Sequence, residues 1–201
     1  MACNMSVPSS LKDDARWQRL VQLVRELAFL DGQSDDAFTL ASGRTSRWFF
    51  DMKPVMMHPE AGRIVGELMN QRCDEISADF VGGLELGAVP LTALVVATDH
   101  ESKRLGFMVR KEAKGRGGRK TNNPPGIEGT SITNGGDVII LEDVTTTGGS
   151  AIQAVHRIES ETACKVVAVI SILDREEGGK EAFASQGIYF ESLLCRSDIS
   201  G

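Results

Sequence analysis

The residues most suggestive of chemistry lie in one segment, 138–150, where two adjacent carboxylates separate an apolar run from small polar residues. The apolar run predicts a buried strand that ends at the acids Glu142 and Asp143. Backbone N–H groups of glycines, hydroxyl groups and helix amino ends bind phosphate, whereas carboxylates suit sugar hydroxyls or the hydration shell of Mg²⁺. The segment therefore predicts a site for a phosphorylated ribose with a metal ion. The residues that follow the two acids are Val144, Thr145, Thr146, Thr147, Gly148, Gly149 and Ser150.

Two further segments have the composition of anion-binding loops. A glycine-rich loop, residues 82–90, contains Gly83, Leu86 and Gly87 and offers backbone N–H groups just before a helical stretch. A basic segment, residues 110–120, is too polar and glycine-rich to pack on its own and is expected to close over a substrate and supply charge at a leaving group. Taken alone, a tight turn and a solvated surface loop remain alternative interpretations. The basic residues are Arg110, Lys111, Lys114, Arg116, Arg119 and Lys120.

The elements that must position these residues alternate between helices and strands. Helices are predicted at residues 11–30, 59–71, 89–99, 149–159 and 179–185, the first of them with a capping box of Ser10 and Asp13. Strands are predicted at residues 38–40, 47–52, 79–81, 105–110, 137–141, 165–173 and 188–194. This order predicts an α/β fold with a parallel sheet flanked by helices, in which ligands bind at the carboxyl ends of the strands.

Composition excludes several classes of protein. A net charge of -6 and a pI near 5.2 argue against nucleic-acid binding, and no apolar run reaches the length of a membrane span. The first residues lack the pattern of a signal peptide, so a cytoplasmic location is expected. Four scattered cysteines without a CxxC pair argue against a zinc site. A length of 201 residues predicts a single domain.

The segment 138–150 resembles the phosphoribosyl pyrophosphate signature of type I phosphoribosyltransferases. The resemblance implies that Glu142 and Asp143 hold the ribose hydroxyls, that residues 145–150 hold the 5-phosphate, and that Asp143 holds Mg²⁺ through water or substrate. It also implies that the glycine-rich loop binds pyrophosphate.

Other segments resemble the orotate phosphoribosyltransferase branch of that family. Residues 38–46 with Phe49 and Phe50 resemble its amino-terminal hood, which implies an amino-terminal part (1–57) and a core (58–201). Residues 173–179 resemble the strand end whose arginine, here Arg175, binds the orotate carboxylate. The basic segment resembles the catalytic loop, which implies a homodimer with shared active sites. The implied catalytic residues are Lys111, Lys114 and Asp143, with Arg110 and Arg116 also at phosphoribosyl pyrophosphate and with Thr146, Arg175, Phe49 and Phe50 at orotate.

The sequence departs from the family pattern at three places. Ala41 and Arg116 stand where many members have lysine and histidine, and residues 122–126 resemble an insertion. Lys53 is a candidate to replace the missing lysine. Two alternatives therefore stay open: a phosphoribosyltransferase for another base, and a nucleotide-sensing regulator with the same fold and little turnover.

Overall fold

A computed structural model describes residues 7–39, 45–112 and 121–200. The helices are α1 (Ser9–Lys12), α2 (Ala15–Leu27), α3 (Lys53–Met56), α4 (Pro59–Ile76), α5 (Ala88–Ala97), α6 (Gly149–Glu161), α7 (Gly179–Ser185) and α8 (Arg196–Ser200). The strands are β1 (Phe29–Asp31), β2 (Phe38–Thr39), β3 (Thr45–Ser46), β4 (Trp48–Phe50), β5 (Phe80–Leu84), β6 (Leu105–Val109), β7 (Ile127–Gly129), β8 (Gly136–Thr145), β9 (Cys164–Asp174) and β10 (Phe190–Cys195). None of the helices in this part of the chain has the length and apolar character that crossing a bilayer requires.

The main sheet of the described residues has the strand order β10-β9-β8-β5-β6-β7, and its strands are parallel except β7. This confirms the predicted α/β fold with a parallel sheet flanked by helices. Strand β7 was not predicted. It runs antiparallel to β6, with Val109 opposite Ile127, so the chain returns along the sheet edge after the basic segment.

The apolar run of β8 packs against helices on both faces of the sheet. Ile139 and Leu141 belong to the core formed with α2, α3, α4 and α5. Val138 and Ile140 belong to the core formed with α6 and α7. Alternate residues of a strand point to opposite faces, so a strand covered on both sides needs an uninterrupted apolar sequence.

The single helix predicted at residues 11–30 is wrong, and so is its capping box. The chain forms α1 and α2, which are separated because Asp14 is extended and its carboxylate accepts a hydrogen bond from the Arg16 backbone N–H at 2.8 Å. Asp13 is the carboxyl-terminal cap of α1. After α2, Phe29–Asp31 pairs antiparallel with β4 instead of continuing the helix.

Aromatic contacts hold the short strands of the hood together. Phe29 and Phe50 stack with ring centroids 5.0 Å apart, and the rings of Phe38 and Phe49 lie 5.7 Å apart. Strand β2 pairs with β3. Residues 40–44 between the two strands, which include Ala41, lie outside the described part of the chain. The predicted strand 47–52 is shorter than expected because helix α3 begins at Lys53.

A buried ion pair joins helix α4 to the edge strand β10. Arg72 donates to Glu191 from Nε at 2.7 Å and from Nη2 at 3.1 Å, and both side chains are almost fully buried. Tyr189 also donates to Glu191 through its hydroxyl group at 2.8 Å. Burial and the Tyr189–Glu191 contact raise the pKa of Tyr189 to about 12. The charge of Glu191 is therefore compensated only while Arg72 is present.

We expect Arg72→Ala to lower the free energy of unfolding by about 3 kcal/mol, because it leaves a buried carboxylate without its cation. Urea denaturation followed by circular dichroism measures the change. Arg63→Ala is the matched control, since Arg63 lies on the same helix but is exposed and pairs with Glu67 at the surface. Equal denaturation midpoints for the two variants would contradict the prediction.

Candidate functional site

The segments that carry the predicted site residues meet at the carboxyl edge of the parallel sheet. They follow β5, β6, β8 and β9, which are neighbours in the sheet. Strands β5 and β8 are adjacent, but the chain leaves β5 toward β6 on one side and leaves β8 toward β9 on the other. A crevice opens where two such strands diverge, and ligands of parallel α/β proteins bind there.

The acids Glu142 and Asp143 lie inside strand β8, whereas the sequence placed them just after the strand. The predicted boundary at residue 141 is wrong because the ladder with β9 continues through the pairs Glu142–Ser171 and Thr145–Asp174. The backbone of both acids is thus fixed by the sheet. Among the residues that the structure describes, Glu142 Oε2 is buried and has no hydrogen-bond partner.

Both carboxyl groups are held in an environment that favours their protonated form. Burial, with a contribution from Asp143, raises the pKa of Glu142 to about 8, and the charge of Lys111 acts in the opposite direction. Burial also raises the pKa of Asp143, against the Val144 backbone N–H and the charge of Lys53. Hydroxyl groups that donate hydrogen bonds to these carboxylates, or a nearby cation, would therefore favour the ionised forms.

The residues after β8 form an open cleft of about 250 Å³ at the amino end of α6. Gly148 turns the chain there with φ of +79°, and the first helical hydrogen bond runs from Ile152 N–H to its carbonyl. The N–H groups of the first turn have no partner within a helix and point out of its amino end. Thr147, Gly149 and Ser150 are exposed, and Thr145 is buried. We call residues 145–150 the phosphate cradle.

The glycine-rich loop packs directly on the carboxylate pair. Gly83 is the fourth residue of β5, and a Cβ atom there would lie 2.1 Å from the Leu141 carbonyl oxygen. A Cβ atom at Gly87 would lie 2.3 Å from the carboxylate oxygens of Asp143. Both positions therefore require glycine. Leu86 is 67% exposed, and the Glu85–Leu86 peptide bond is cis.

The start of the basic segment lies against the glycine-rich loop. Lys111 donates its backbone N–H to Glu85 Oε1 at 2.9 Å, and Arg110 Nη1 lies 3.8 Å from Glu85 Oε2. Arg110 Nε also lies 3.8 Å from Glu128 Oε1. Lys111 is exposed. Lys114 and Arg116 lie outside the described residues.

Arg175 connects the end of β9 to the hood. It is 3% exposed, and its Nη2 atom donates to Ser46 Oγ at 3.0 Å and to the Trp48 carbonyl at 2.9 Å. Nη2 also lies 2.9 Å from Glu177 Oε1, and the guanidinium lies over the Phe50 ring. Its backbone N–H donates to the Thr145 carbonyl at 2.9 Å, which places Arg175 beside the phosphate cradle.

The structure brings most of the predicted residues together and adds one that the sequence interpretation missed. Thr146 is half-buried, and its carbonyl faces the start of α7, where a Cβ atom on Gly179 would lie 2.9 Å from it. Phe49 is half-buried and Phe50 is buried in the hood. Glu85 was not expected, since an acid does not suit a pyrophosphate site. The sequence did contain a signal for Glu85, because the basic residues that it contacts follow β6, the strand next to β5.

Three comparisons describe what the chain is similar to. A family model described as a phosphoribosyl transferase domain matches residues 53–190. An orotate phosphoribosyltransferase of Rhodopseudomonas palustris (strain BisB18) is 40% identical over 183 residues, which cover 90% of this chain and 94% of that protein. The structure of Mycobacterium tuberculosis H37Rv orotate phosphoribosyltransferase with Fe(III) dicitrate has a TM-score of 0.78 at 32% identity and covers 92% of this chain and 99% of its own. That enzyme in complex with phosphoribosyl pyrophosphate has a TM-score of 0.74 at 30% identity, with the same coverage.

We expect Glu142→Gln to gain stability relative to the wild type as the pH rises from about 5 to about 8. The folded chain keeps a proton on Glu142 up to about pH 8, whereas the unfolded chain releases it near pH 4.5. Since the folded state binds the extra proton in this window, the wild type loses stability as the pH rises, and glutamine does not titrate. Urea denaturation of both proteins across this range, without added metal, measures the difference. A difference that does not vary with pH would contradict the assignment.

Proposed function

Because the chain belongs to the phosphoribosyl transferase family, in its orotate phosphoribosyltransferase branch, we propose that it transfers a phosphoribosyl group from phosphoribosyl pyrophosphate to orotate. The products are orotidine 5-monophosphate and pyrophosphate, in pyrimidine biosynthesis. The observation that carries the proposal is that one sheet edge brings together a carboxylate pair, a phosphate cradle and a buried arginine beside the hood. The matches to phosphoribosyltransferases confirm the family that the sequence resembles.

The phosphoribosyl group fits the crevice in one orientation. The phosphate cradle binds the 5-phosphate through the amino end of α6 and its hydroxyl groups. Glu142 and Asp143 accept hydrogen bonds from the ribose hydroxyls. The glycine-rich loop lies next to Asp143, so the pyrophosphate on the neighbouring ribose carbon reaches its backbone N–H groups. Gly87 keeps this side of the crevice open, since a side chain there would collide with Asp143.

Mg²⁺ is the metal that we propose for this site, and the donor atoms fit it. The buried Glu142 Oε2 atom without a partner and the Asp143 carboxylate are hard oxygen acceptors, which suit the hydration shell of Mg²⁺. Within the described residues, no group of three His, Cys, Asp or Glu side chains could hold a metal. Asp143 would therefore hold the ion through water or substrate oxygens. When bound, Mg²⁺ neutralises charge on the pyrophosphate.

Catalysis in this proposal comes from positioning and charge stabilisation. Orotate attacks with its own ring nitrogen, so no protein nucleophile is needed. Lys111 and Lys114 stabilise the departing pyrophosphate, together with Arg110 and Arg116. Arg116 cannot donate a proton near neutral pH as a histidine does, so it acts through its charge. Ala41 stands where many family members have lysine. Lys53, whose charge opposes the raised pKa of Asp143, replaces that lysine in this proposal.

Arg175 is the residue that we propose for the orotate carboxylate, next to Thr146, Phe49 and Phe50. A guanidinium group pairs with a carboxylate through two parallel hydrogen bonds. Glu177 Oε1 lies 2.9 Å from Nη2, so in this proposal the orotate carboxylate takes the place of the Glu177 carboxylate. The contacts of Arg175 with Ser46 and Trp48 close the hood over the same place.

An exposed apolar surface supports a homodimer. Helix α5 is apolar along its length, but only part of it is buried. Val96 on this helix is 37% exposed, and Leu105 at the start of β6 is 53% exposed. A groove of about 270 Å³ runs between α5 and β6 and is lined by Val89, Thr92, Ala93, Val96, Gly106, Phe107, Met108 and Gly129. Apolar surfaces of this kind are typical of protein interfaces. We propose that a second copy covers it.

We also propose that the protein is cytoplasmic. Cys73 and Cys164 are free thiols inside the fold, which suits a reducing compartment.

The function is tested by following orotate absorbance in the presence of phosphoribosyl pyrophosphate and Mg²⁺. We expect orotate consumption that stops when phosphoribosyl pyrophosphate is omitted, and no consumption of adenine or hypoxanthine. Binding of phosphoribosyl pyrophosphate without turnover of any base would favour the regulator instead.

We expect Arg175→Lys to weaken orotate binding roughly tenfold to a hundredfold, since lysine cannot form the paired hydrogen bonds. Binding of phosphoribosyl pyrophosphate should stay near the wild-type value. Isothermal titration with each ligand measures both constants. Arg196→Lys is the matched control, because Arg196 also contacts the hood through the Trp48 ring but has no proposed contact with orotate. If the two variants bind orotate equally well, the base assignment fails.

The homodimer proposal predicts that two inactive variants rescue each other. One variant carries Lys114→Ala and Arg116→Ala in the basic segment, and the other carries Glu142→Gln and Asp143→Asn. With shared sites, a mixed dimer has one intact site and one site broken twice. After random exchange about half the dimers are mixed, so roughly a quarter of native activity should return. Verified exchange without any activity would mean that the basic segment does not act across the interface.

A further inference from the structure

Arg157, on the third turn of α6, contacts the first residue of the basic segment and also the chain that follows the segment, at Pro125. Its Nη1 atom donates to the Arg110 carbonyl at 2.7 Å, and its Nη2 atom donates to the Pro125 carbonyl. Its Nε atom donates to Glu161 at 3.0 Å, which orients the guanidinium on the helix. The side chain is 19% exposed. Arginine is suited to this contact because its planar fork donates in two fixed directions at once.

The backbone at Gly126, after the basic segment, leaves room for the Arg157 guanidinium. Gly126 has φ of +84°, and a Cβ atom there would lie 2.7 Å from Arg157 Nη2. The Gly126 carbonyl accepts from Arg110 N–H at 2.8 Å, so the two ends are also joined to each other. Asn123 is buried and bonded to the Thr130 carbonyl and to Ile132 N–H. The residues that the sequence marked as an insertion therefore form a fixed support.

One peptide unit is held from two sides. The carbonyl of the Arg110–Lys111 peptide accepts from Arg157 of α6, and its N–H donates to Glu85 of the glycine-rich loop. Hydrogen bonds at the two opposite edges of a peptide unit fix the orientation of that unit. This orientation sets the direction in which the Lys111 side chain leaves the backbone. The charge of Lys111 acts on Glu142 in the carboxylate pair.

We propose that Arg157 is a positioning residue that sets where Lys111 presents its ammonium group. It does so by tying the base of the basic segment to the helix whose amino end forms the phosphate cradle. Arg157 is eight residues after Gly149, so it lies about 12 Å along the same helix axis. The proposal rests on the proposed function, since Lys111 stabilises the leaving group there. Arg157 itself touches no reacting atom.

The test compares Arg157→Gln with Glu161→Gln. Both changes are on the last turns of α6, but only the first removes the donors to the two carbonyls. We expect Arg157→Gln to lower kcat roughly tenfold to a hundredfold, with the KM for orotate within about twofold of wild type. Glu161→Gln should keep kcat within about twofold, since it removes only the negative charge beside Nε and leaves an oxygen that accepts its hydrogen bond.

Hydrogen exchange of the free protein gives a second readout that does not depend on turnover. In Arg157→Gln the amides of Arg110 and Lys111 should exchange at least about tenfold faster, while those of Ile139 and Val169 in the central strands keep the wild-type rate. Gly126→Ala should reproduce both effects with Arg157 intact, because its methyl group displaces the guanidinium.

Wild-type kcat and exchange in Arg157→Gln would overturn the proposal. Faster exchange throughout the sheet would overturn it as well, because Arg157 would then stabilise the whole fold. If the wild-type chain itself does not consume orotate, the proposed function fails, and the exchange rates at Arg110 and Lys111 still decide whether Arg157 holds this peptide.

Discussion

Burial disfavours the ionised forms of the two neighbouring carboxyl groups where β8 holds them, and the surroundings of the site follow from this constraint. The ladder with β9 fixes the backbone of both residues. Adjacent residues of a strand point to opposite faces, which places Glu142 on the α6 side and Asp143 on the α5 side. The charge of Lys111 opposes the raised pKa of Glu142, and the charge of Lys53 opposes that of Asp143. In the proposed function, the ligand compensates the unfavourable energy that remains.

The same constraint explains why the crevice walls are made of glycine and hydroxyl residues. Any side chain at Gly83 or Gly87 would occupy the space beside Leu141 and Asp143. Without it, the glycine-rich loop approaches the carboxylate pair by its backbone alone, and a ligand can lie between backbone N–H groups on one side and carboxylates on the other. Opposite partial charges across a narrow crevice suit a sugar that carries anionic groups at two positions.

Much of this arrangement could be predicted from the sequence, because its signals are local. The run 138–141 predicted a strand covered on both faces, which the structure confirms, and its neighbours predicted a phosphate site. The features that failed depend on residues far along the chain. The position of Glu142 inside the strand needs the partner Ser171, and strand β7 needs β6. The break between α1 and α2 depends on one carboxylate, Asp14, whose competing bond to its own backbone outweighs helix propensity.

The hood shows the limit of local signals most clearly. Its residues were identified by resemblance, but nothing near them in sequence indicated what holds them over the site. The structure shows that the contact is Arg175, which lies 127 residues after Trp48 and bonds its carbonyl. An arginine that follows a buried strand is compatible with a surface ion pair as well as with a ligand contact. Only the parallel sheet, which delivers the end of β9 to the same edge as β8, brings it beneath the hood.

The two edges of the sheet differ in how their charged side chains are paired. At the amino edge, Arg72 pairs with Glu191, and buried Arg104 bonds Asn70 and Asp74 and lies 3.5 Å from Asp99. At the carboxyl edge, among the described residues, an oxygen of Glu142 is buried without a partner. The charged groups of the amino edge are neutralised by opposite charges, although Arg104 Nε is also buried without a partner among the described residues. These pairs join α4 to the sheet and contribute to the fold, because breaking a buried pair leaves an uncompensated charge. Glu142, in contrast, would gain its partner from the ligand in the proposed function.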